Sequence, residues 1–401
     1  MLFVASATLT TFTLHLPPQF HSWLFLPAWL LTALSLASVK EEMTPRGPVA
    51  LNSYTVITCF IFMLNLPTIL LFENHSFEPR PDQETGQRDR ASLLPWPTRR
   101  SVAAACRIWN NPRNLQFRKS GPASASWNAL IRFLFRRGSR VAVGFLVDRL
   151  VVQRIQGHLS AASNLLDFTP DQQQIIRPIF SHLFLDGIES PYRPISSHRL
   201  ALRAFMSVSW IWTNFLVLEF YHLVLAIIFV IILRLDDPED WPPLFGSISD
   251  AWTLQRFWGR FWHRVATPTL TTWTRFLLQG AKTRALGKVL QAFGVFLLSG
   301  LMHATASWRT GQHFEHLDVW FFCVNFVAVG AEITAIKSLS WGLRDTKIAL
   351  LVEKSWPMRM MSKAFGFTWV FAWFFWSVPR WLYPKTMRWA IKQALIQSYA
   401  S

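Results

Sequence analysis

Long apolar runs, separated by charged or proline-rich stretches, dominate the pattern along this chain. Runs near the roughly 20 residues that a membrane helix needs fall at Phe20–Ser38, Leu51–Phe72, Phe205–Leu233, Val289–Trp308, Val319–Leu339 and Phe365–Tyr383. Two more are weaker. Met1–Leu16 is short and stopped by Pro17 and Pro18, and Asn128–Val152 is interrupted by Arg132, Arg136, Arg137 and Arg140. The pattern predicts an all-α polytopic integral membrane protein with about seven to nine membrane helices. No Lys or Arg precedes Lys40, so the basic region that opens a secretory signal peptide is missing, and the first run reads as a retained membrane segment.

The chain divides by composition into three regions. Residues 1–72 carry the N-terminal membrane helices, and residues 73–200 form a basic, Arg-rich loop opening on a stretch rich in Pro, charge and small polar residues. Within that loop Ala125–Arg154 predicts an interfacial helix pair, because its arginines interrupt apolar runs and can snorkel to lipid head groups. Residues 201–401 return to the membrane.

Between two of the later runs lies LDDPEDWPPLFGSISDAWTLQRFWGRFWHRV, residues 235–265. Its Asp/Pro-rich opening is a loop, Ser247 or Ser249 offers a helix cap, and a helix is expected from Asp250. On a helical wheel Leu254, Phe257, Trp258, Phe261, Trp262 and Val265 share one face, and Arg256, Arg260, His263 and Arg264 fall on the other. Such segregation fits an amphipathic helix in the membrane interface. The cationic face can anchor to lipid or bind the phosphates of a ligand, and the pattern leaves both readings open.

Lys and Arg outnumber Asp and Glu by 40 to 23, a formal charge of +17 that would suit a polyanion such as nucleic acid. The arginines concentrate between membrane segments, from Arg80 to Arg199, which is the distribution of a membrane protein's loops, so no nucleic-acid partner is expected. The three cysteines, Cys59, Cys106 and Cys323, build neither a disulfide framework nor a metal-binding pair. His313 and His316 form an isolated HxxH without a carboxylate-rich cluster, and no metal site is expected. Neither a GxSxG nucleophile elbow nor a phosphate-cradling glycine loop is present.

His303 draws attention because of its depth in an apolar run, in FLLSGLMHATASW. A buried imidazole needs a hydrogen bond or a polar cavity, so His303 is either a structural hydrogen-bonder or a functional group.

Read together, RFWGRFWHR (Arg256 to Arg264) and SGLMHA (Ser299 to Ala304) resemble the paired blocks of the membrane-bound O-acyltransferase superfamily, in its wax synthase-like branch. The resemblance covers the chain from about Asp236 onward and extends to the O-acetyltransferases of fungal terpenoid and meroterpenoid pathways. Upstream, NPRNLQF (Asn111 to Phe117) is a degraded version of a further family stretch.

The resemblance implies a helical membrane bundle that transfers an acetyl group from acetyl-CoA to a hydroxyl of a lipophilic terpenoid in secondary metabolism. It makes residues 201–401 the catalytic membrane region. His303 takes the position of the catalytic histidine and His263 the companion position, where plant relatives have asparagine. Arg256, Trp258, Arg260, Trp262, Arg264 and Ser299 are the substrate-binding candidates. An alcohol needs a base to take its proton as it attacks a thioester, and an imidazole can serve; arginine matches phosphate oxygens bidentately. Acetyl-CoA is a co-substrate, no bound cofactor is implied, and the partners are the donor, a lipophilic alcohol and the bilayer, with the endoplasmic reticulum as location. Long-chain wax ester synthesis is the alternative within the enzymes. A transporter would show two related halves with paired broken helices, and no such repeat is visible.

Overall fold

The computed structural model describes residues 1–40, 51–73, 98–111, 113, 115, 125–174, 196–278, 284–343 and 355–400. Every regular element among them is helical. The longer ones are α1 (Leu2–Thr13), α2 (His21–Ala37), α3 (Leu51–Pro67), α4 (Arg99–Trp109), α5 (Trp127–Val147), α6 (Gln153–Ala162), α7 (Ser197–Ala226), α8 (Thr267–Leu277), α9 (Arg284–Arg309), α10 (Glu315–Leu343) and α11 (Trp356–Ala400).

Five helical segments among the described residues are long and apolar enough to cross a bilayer: Pro18–Ala37, Leu51–Phe72, Ser197–Ile232, Leu286–Arg309 and Glu315–Gly342. Each coincides with an apolar run seen in the sequence. The expected seven to nine are not reached on these criteria. The run Phe365–Tyr383 is helical within α11 but, rich in Trp and carrying Arg380, falls short in apolarity, and α1 has only 12 residues. The predicted interfacial pair is instead one continuous helical stretch, because α5 runs through a π turn, Asp148–Val152, directly into α6. Of NPRNLQF only Asn111, Arg113 and Leu115 are described, and the rest of that stretch lies outside the described residues.

Two compact units interleave along the chain and do not follow the sequence boundaries at residues 72 and 200. The first comprises residues 1–138, 221–244 and 264–311. In its core Leu14, Ala28, Phe62, Leu66, Leu70 and Ala105 join α1, α2, α3 and α4. Ser6 brings α1 close to α2 by donating to the Ala28 carbonyl at 2.6 Å and sharing a hydrogen bond with Thr32 at 2.8 Å, the small-residue packing that apolar helices use in lipid. A second cluster of Ile61, Ala266, Leu270 and Met302 holds α9 against α3 and α8. The Asp/Pro-rich loop is tied down by Arg107, which donates to Asp236 at 2.8 Å, to the Leu235 carbonyl at 3.0 Å and to Asp240 at 3.2 Å. Burial pushes the Asp236 carboxyl above the usual carboxylate range, against the pull of the neighbouring guanidinium.

The second unit comprises residues 139–220, 245–263 and 312–401. Along α10 three buried acceptors, Asp318, Asn325 and Glu332, recur every seven residues and so share one face. Indole N–H groups of α11 meet each of them: Trp381 reaches Asp318 at 2.8 Å, Trp373 reaches Asn325 at 3.0 Å and Trp369 reaches Glu332 at 2.8 Å. Lys385 adds an ion pair to Asp318 at 2.6 Å.

Proline 379 lies inside α11 and has no N–H to give the carbonyl four residues back. Arg203 of α7, fully buried, donates to that freed Phe375 carbonyl at 3.1 Å, and Ser207 donates to the Phe374 carbonyl at 3.2 Å. The acceptors around Pro379 are thus satisfied by another helix, which a site without water requires.

Gly366 of α11 packs so closely on Trp252 that a Cβ there would lie 2.1 Å from the Trp252 carbonyl oxygen. Gly366→Ala is expected to destabilise the folded chain by about 1–3 kcal/mol, the usual cost of overpacking against an unyielding neighbour. Gly342→Ala, where nothing lies within 4 Å, is expected to be neutral or slightly stabilising. Thermal unfolding of the two variants in detergent checks the contrast.

Candidate functional site

The stretch expected to be one helix from Asp250 to Val265 is folded differently. A 3-10 turn, Ile248–Asp250, precedes a short α turn, Leu254–Arg256, which widens into a π turn, Phe257–Phe261, and Trp262 is extended. Thr253 is the cap, its Oγ1 accepting the Arg256 N–H at 3.1 Å, whereas Ser247 and Ser249 bond each other at 2.7 Å. The Gly246 N–H donates to the Phe261 carbonyl at 2.9 Å, closing the stretch into a loop. Only glycine fits there, because a Cβ at position 246 would stand 2.1 Å from the Arg260 carbonyl oxygen.

The apolar face also differs in what it meets. Leu254, Phe257, Phe261 and Trp262 are 0, 2, 5 and 9% exposed, and they pack on protein instead of lying open in the interface. Trp210 of α7 is the hub, with ring centroids of Phe257, Trp258, Trp262, Phe321, Phe374 and Trp381 between 5.1 and 6.4 Å away. Helical spacing distinguishes an apolar face from a polar one but does not say whether lipid or protein covers it.

Five of the sequence-derived candidates lie together on this turn. Arg256 is folded back, its Nη2 2.6 Å from Asp250, its Nε donating to the Asp250 carbonyl at 3.0 Å and its guanidinium 4.7 Å from the Trp252 ring centre. Trp258 commits its indole N–H to Asn325 at 3.2 Å, and Trp262 stacks on Phe257 at 5.5 Å. His263 is half-buried with its ring against Phe245 at 5.5 Å and Trp262 at 5.3 Å. Arg260 is exposed, and no ion pair forms to it among the described residues. The turn therefore offers one outward guanidinium, while Arg256 and Trp258 are engaged with Asp250 and Asn325.

Arg264, Ser299 and His303 belong to the first unit. Arg264 is exposed. Ser299 turns its hydroxyl onto its own helix, donating to the Val295 carbonyl at 2.8 Å. His303 is half-buried on α9, on the inward stripe that contains Gly300, Met302, Ala306 and Ser307, while Leu301 and Trp308 face outward. Of the HxxH pair, His313 sits ahead of α10 with φ of 58°, so the two histidines are not presented from one helical face.

The sequence reading did not single out Asp318, Asn325 and Glu332. Their signal was present all the same, as polar residues at seven-residue spacing inside an apolar run, where an unpartnered carboxylate or amide is too costly to be incidental.

Residues 241–324, which contain both sequence blocks, match the membrane bound O-acyl transferase family. Acetyltransferase atnC of Arthrinium sp is 31% identical over 50% of this chain and 45% of its own length. Acetyltransferase ple2 of Rhodocybe pseudopiperita is 29% identical over 67% of this chain and 71% of its own, and acetyltransferase aurG of Calcarisporium arbuscula 24% identical over 88% and 84%. The chain thus spans less than half the length of atnC and most of the other two. No solved structure matches it. Both blocks lie inside the matched stretch, with membrane-length helices before and within it in the chain, and it is this stretch that is similar to the membrane bound O-acyl transferase family and to these fungal acetyltransferases.

Proposed function

We propose that the protein is an integral-membrane O-acetyltransferase that moves an acetyl group from acetyl-CoA to a hydroxyl of a lipophilic terpenoid-like alcohol in secondary metabolism, in the endoplasmic reticulum membrane. The observation that carries this reading is the Arg256–His263 turn, a protein-packed element presenting Arg260, within the stretch that matches the acyltransferase family. The names of the relatives support acetyl as the transferred group. The resemblance of the paired blocks to terpenoid acetyltransferases supports the acceptor class.

In this reading His303 is the general base. Its imidazole takes the hydroxyl proton as the alcohol oxygen attacks the thioester carbonyl, the carbon–sulfur bond breaks, and the proton passes to the leaving coenzyme A thiolate. Arg260 contacts donor phosphates, and Arg264 is a second exposed guanidinium suited to the same task. Arg256, engaged with Asp250 and Trp252, braces the turn. His263, Trp258 and Trp262 line the same element, and His263 can donate to the oxyanion that develops on the thioester. The serine of the second block, Ser299, bonds its own helix and is assigned to packing.

The direct test incubates membranes containing the protein with acetyl-CoA or palmitoyl-CoA and a sterol, a fatty alcohol or a polycyclic terpenoid alcohol, counting coenzyme A release without acceptor as background. Acetyl ester of the terpenoid alcohol is the expected product. Faster palmitoyl transfer, above all to the fatty alcohol, would replace this reading with wax ester synthesis.

His303→Ala is expected to lower turnover per folded molecule by about a hundredfold or more, the contribution of a general base. Retention of more than about a tenth of wild-type turnover would remove His303 from the mechanism. Arg260→Ala is expected to raise the apparent donor KM by about tenfold with kcat little changed, since a phosphate contact remote from the thioester is uniform binding. Arg256→Ala is expected to lower thermal stability as well, because it unties Asp250. Steady-state kinetics beside melting curves of the two arginine variants separates the roles.

A further inference from the structure

Glu332 lies in the middle of α10, 7% exposed, and among the described residues its carboxylate forms no ion pair. Its Oε2 accepts the Leu254 N–H at 2.8 Å and its Oε1 the Gln255 N–H at 3.0 Å, across 78 and 77 residues of sequence. The Trp369 indole also donates to Oε2, at 2.8 Å. Thr253 Oγ1 takes the Arg256 N–H at 3.1 Å and the Thr253 carbonyl the Phe257 N–H at 2.7 Å. All four N–H groups that open the turn are thereby satisfied, two of them by this one distant side chain.

The turn is too short to hold itself. It has one α turn and one π turn, and it is followed by extended backbone at Trp262, so little of its own hydrogen bonding resists opening. Removing the Glu332 carboxylate would leave two backbone donors and an indole N–H buried without acceptors. An amide in its place would turn a donor towards at least one of those donors.

We propose that Glu332 is a positioning residue for the transfer reaction: from the membrane helix α10 it fixes the start of the Arg256–His263 turn and so gives Arg260 a single presentation to the donor. The inference rests on the reading of that turn as donor-binding. Its geometric part, that the carboxylate holds the turn, stands on the contacts alone.

The test is hydrogen–deuterium exchange on the full chain in detergent, beside donor and acceptor kinetics, for wild type, Glu332→Gln and Trp369→Phe. Glu332→Gln is expected to speed exchange of peptides covering residues 253–262 by about tenfold or more, the scale of losing a charge-assisted hydrogen bond, while α9 peptides are unchanged. The donor KM is expected to rise severalfold with the acceptor KM constant, a split that general loss of folded protein does not produce. Trp369→Phe leaves the carboxylate with two of its three donors and is expected to give a smaller change of the same kind. It serves alone if Glu332→Gln does not accumulate. Unchanged exchange at residues 253–262 overturns the proposal, as does faster exchange with an unchanged donor KM. A wild-type chain that transfers no acetyl group from acetyl-CoA instead overturns the reading of function, and the exchange result still decides what Glu332 holds.

Discussion

A buried polar group inside a membrane helix has no water to fall back on, and the second unit of this protein is arranged around that constraint. Three acceptors on one face of α10, spaced two helical turns apart, each require a donor, and α11 supplies an indole at each level. Tryptophan suits the task because it gives up one N–H at the end of a large apolar body, so the same residue satisfies the acceptor and fills the space around it. Register between the two helices follows. A slip of one turn would leave several acceptors unpaired at once, at a cost of several kcal/mol for each.

The candidate site depends on this ladder at two of its three levels. Asn325 holds Trp258 as well as Trp373, and Glu332 holds the turn's first N–H groups as well as Trp369. The third level, Asp318 with Trp381 and Lys385, ties the two helices without touching the turn. Glycine completes the seat from both sides, Gly366 allowing α11 to approach the Trp252 carbonyl and Gly246 allowing the loop to close on Arg260. What remains outward is Arg260, beside a histidine wedged between two aromatic rings. The rings around Trp210 pack the apolar side of the element, and an element ordered in advance spares a ligand the entropy cost of ordering it.

Arg203 applies the same rule at Pro379 of α11. Proline frees a carbonyl, and a buried guanidinium from α7 occupies it while donating on its other side to the carbonyls of Gln172 and Gln173. A buried charged residue near the start of a membrane-length helix is thus met, among the described residues, by backbone carbonyls and not by a carboxylate.

The sequence by itself determined the class of the protein. Apolar runs of membrane length located the five membrane-length helices among the described residues, and the paired blocks pointed to the family that residues 241–324 match, because both signals are local and survive without knowledge of the fold. Helical spacing also separated the apolar from the cationic side of residues 254–265. Only the tertiary structure decided what covers that apolar side, and the answer, protein rings and two glycine contacts, breaks the expected helix into an α turn and a π turn. Arg256 and Arg260 look alike in the sequence, yet one is spent on Asp250 and the other faces outward. Asp318, Asn325 and Glu332 were visible as polar residues in an apolar run, but their donors lie between 37 and 78 positions away along the chain. Periodicity along one helix reports which residues share a face, and which group on another helix meets that face is fixed only when the helices pack.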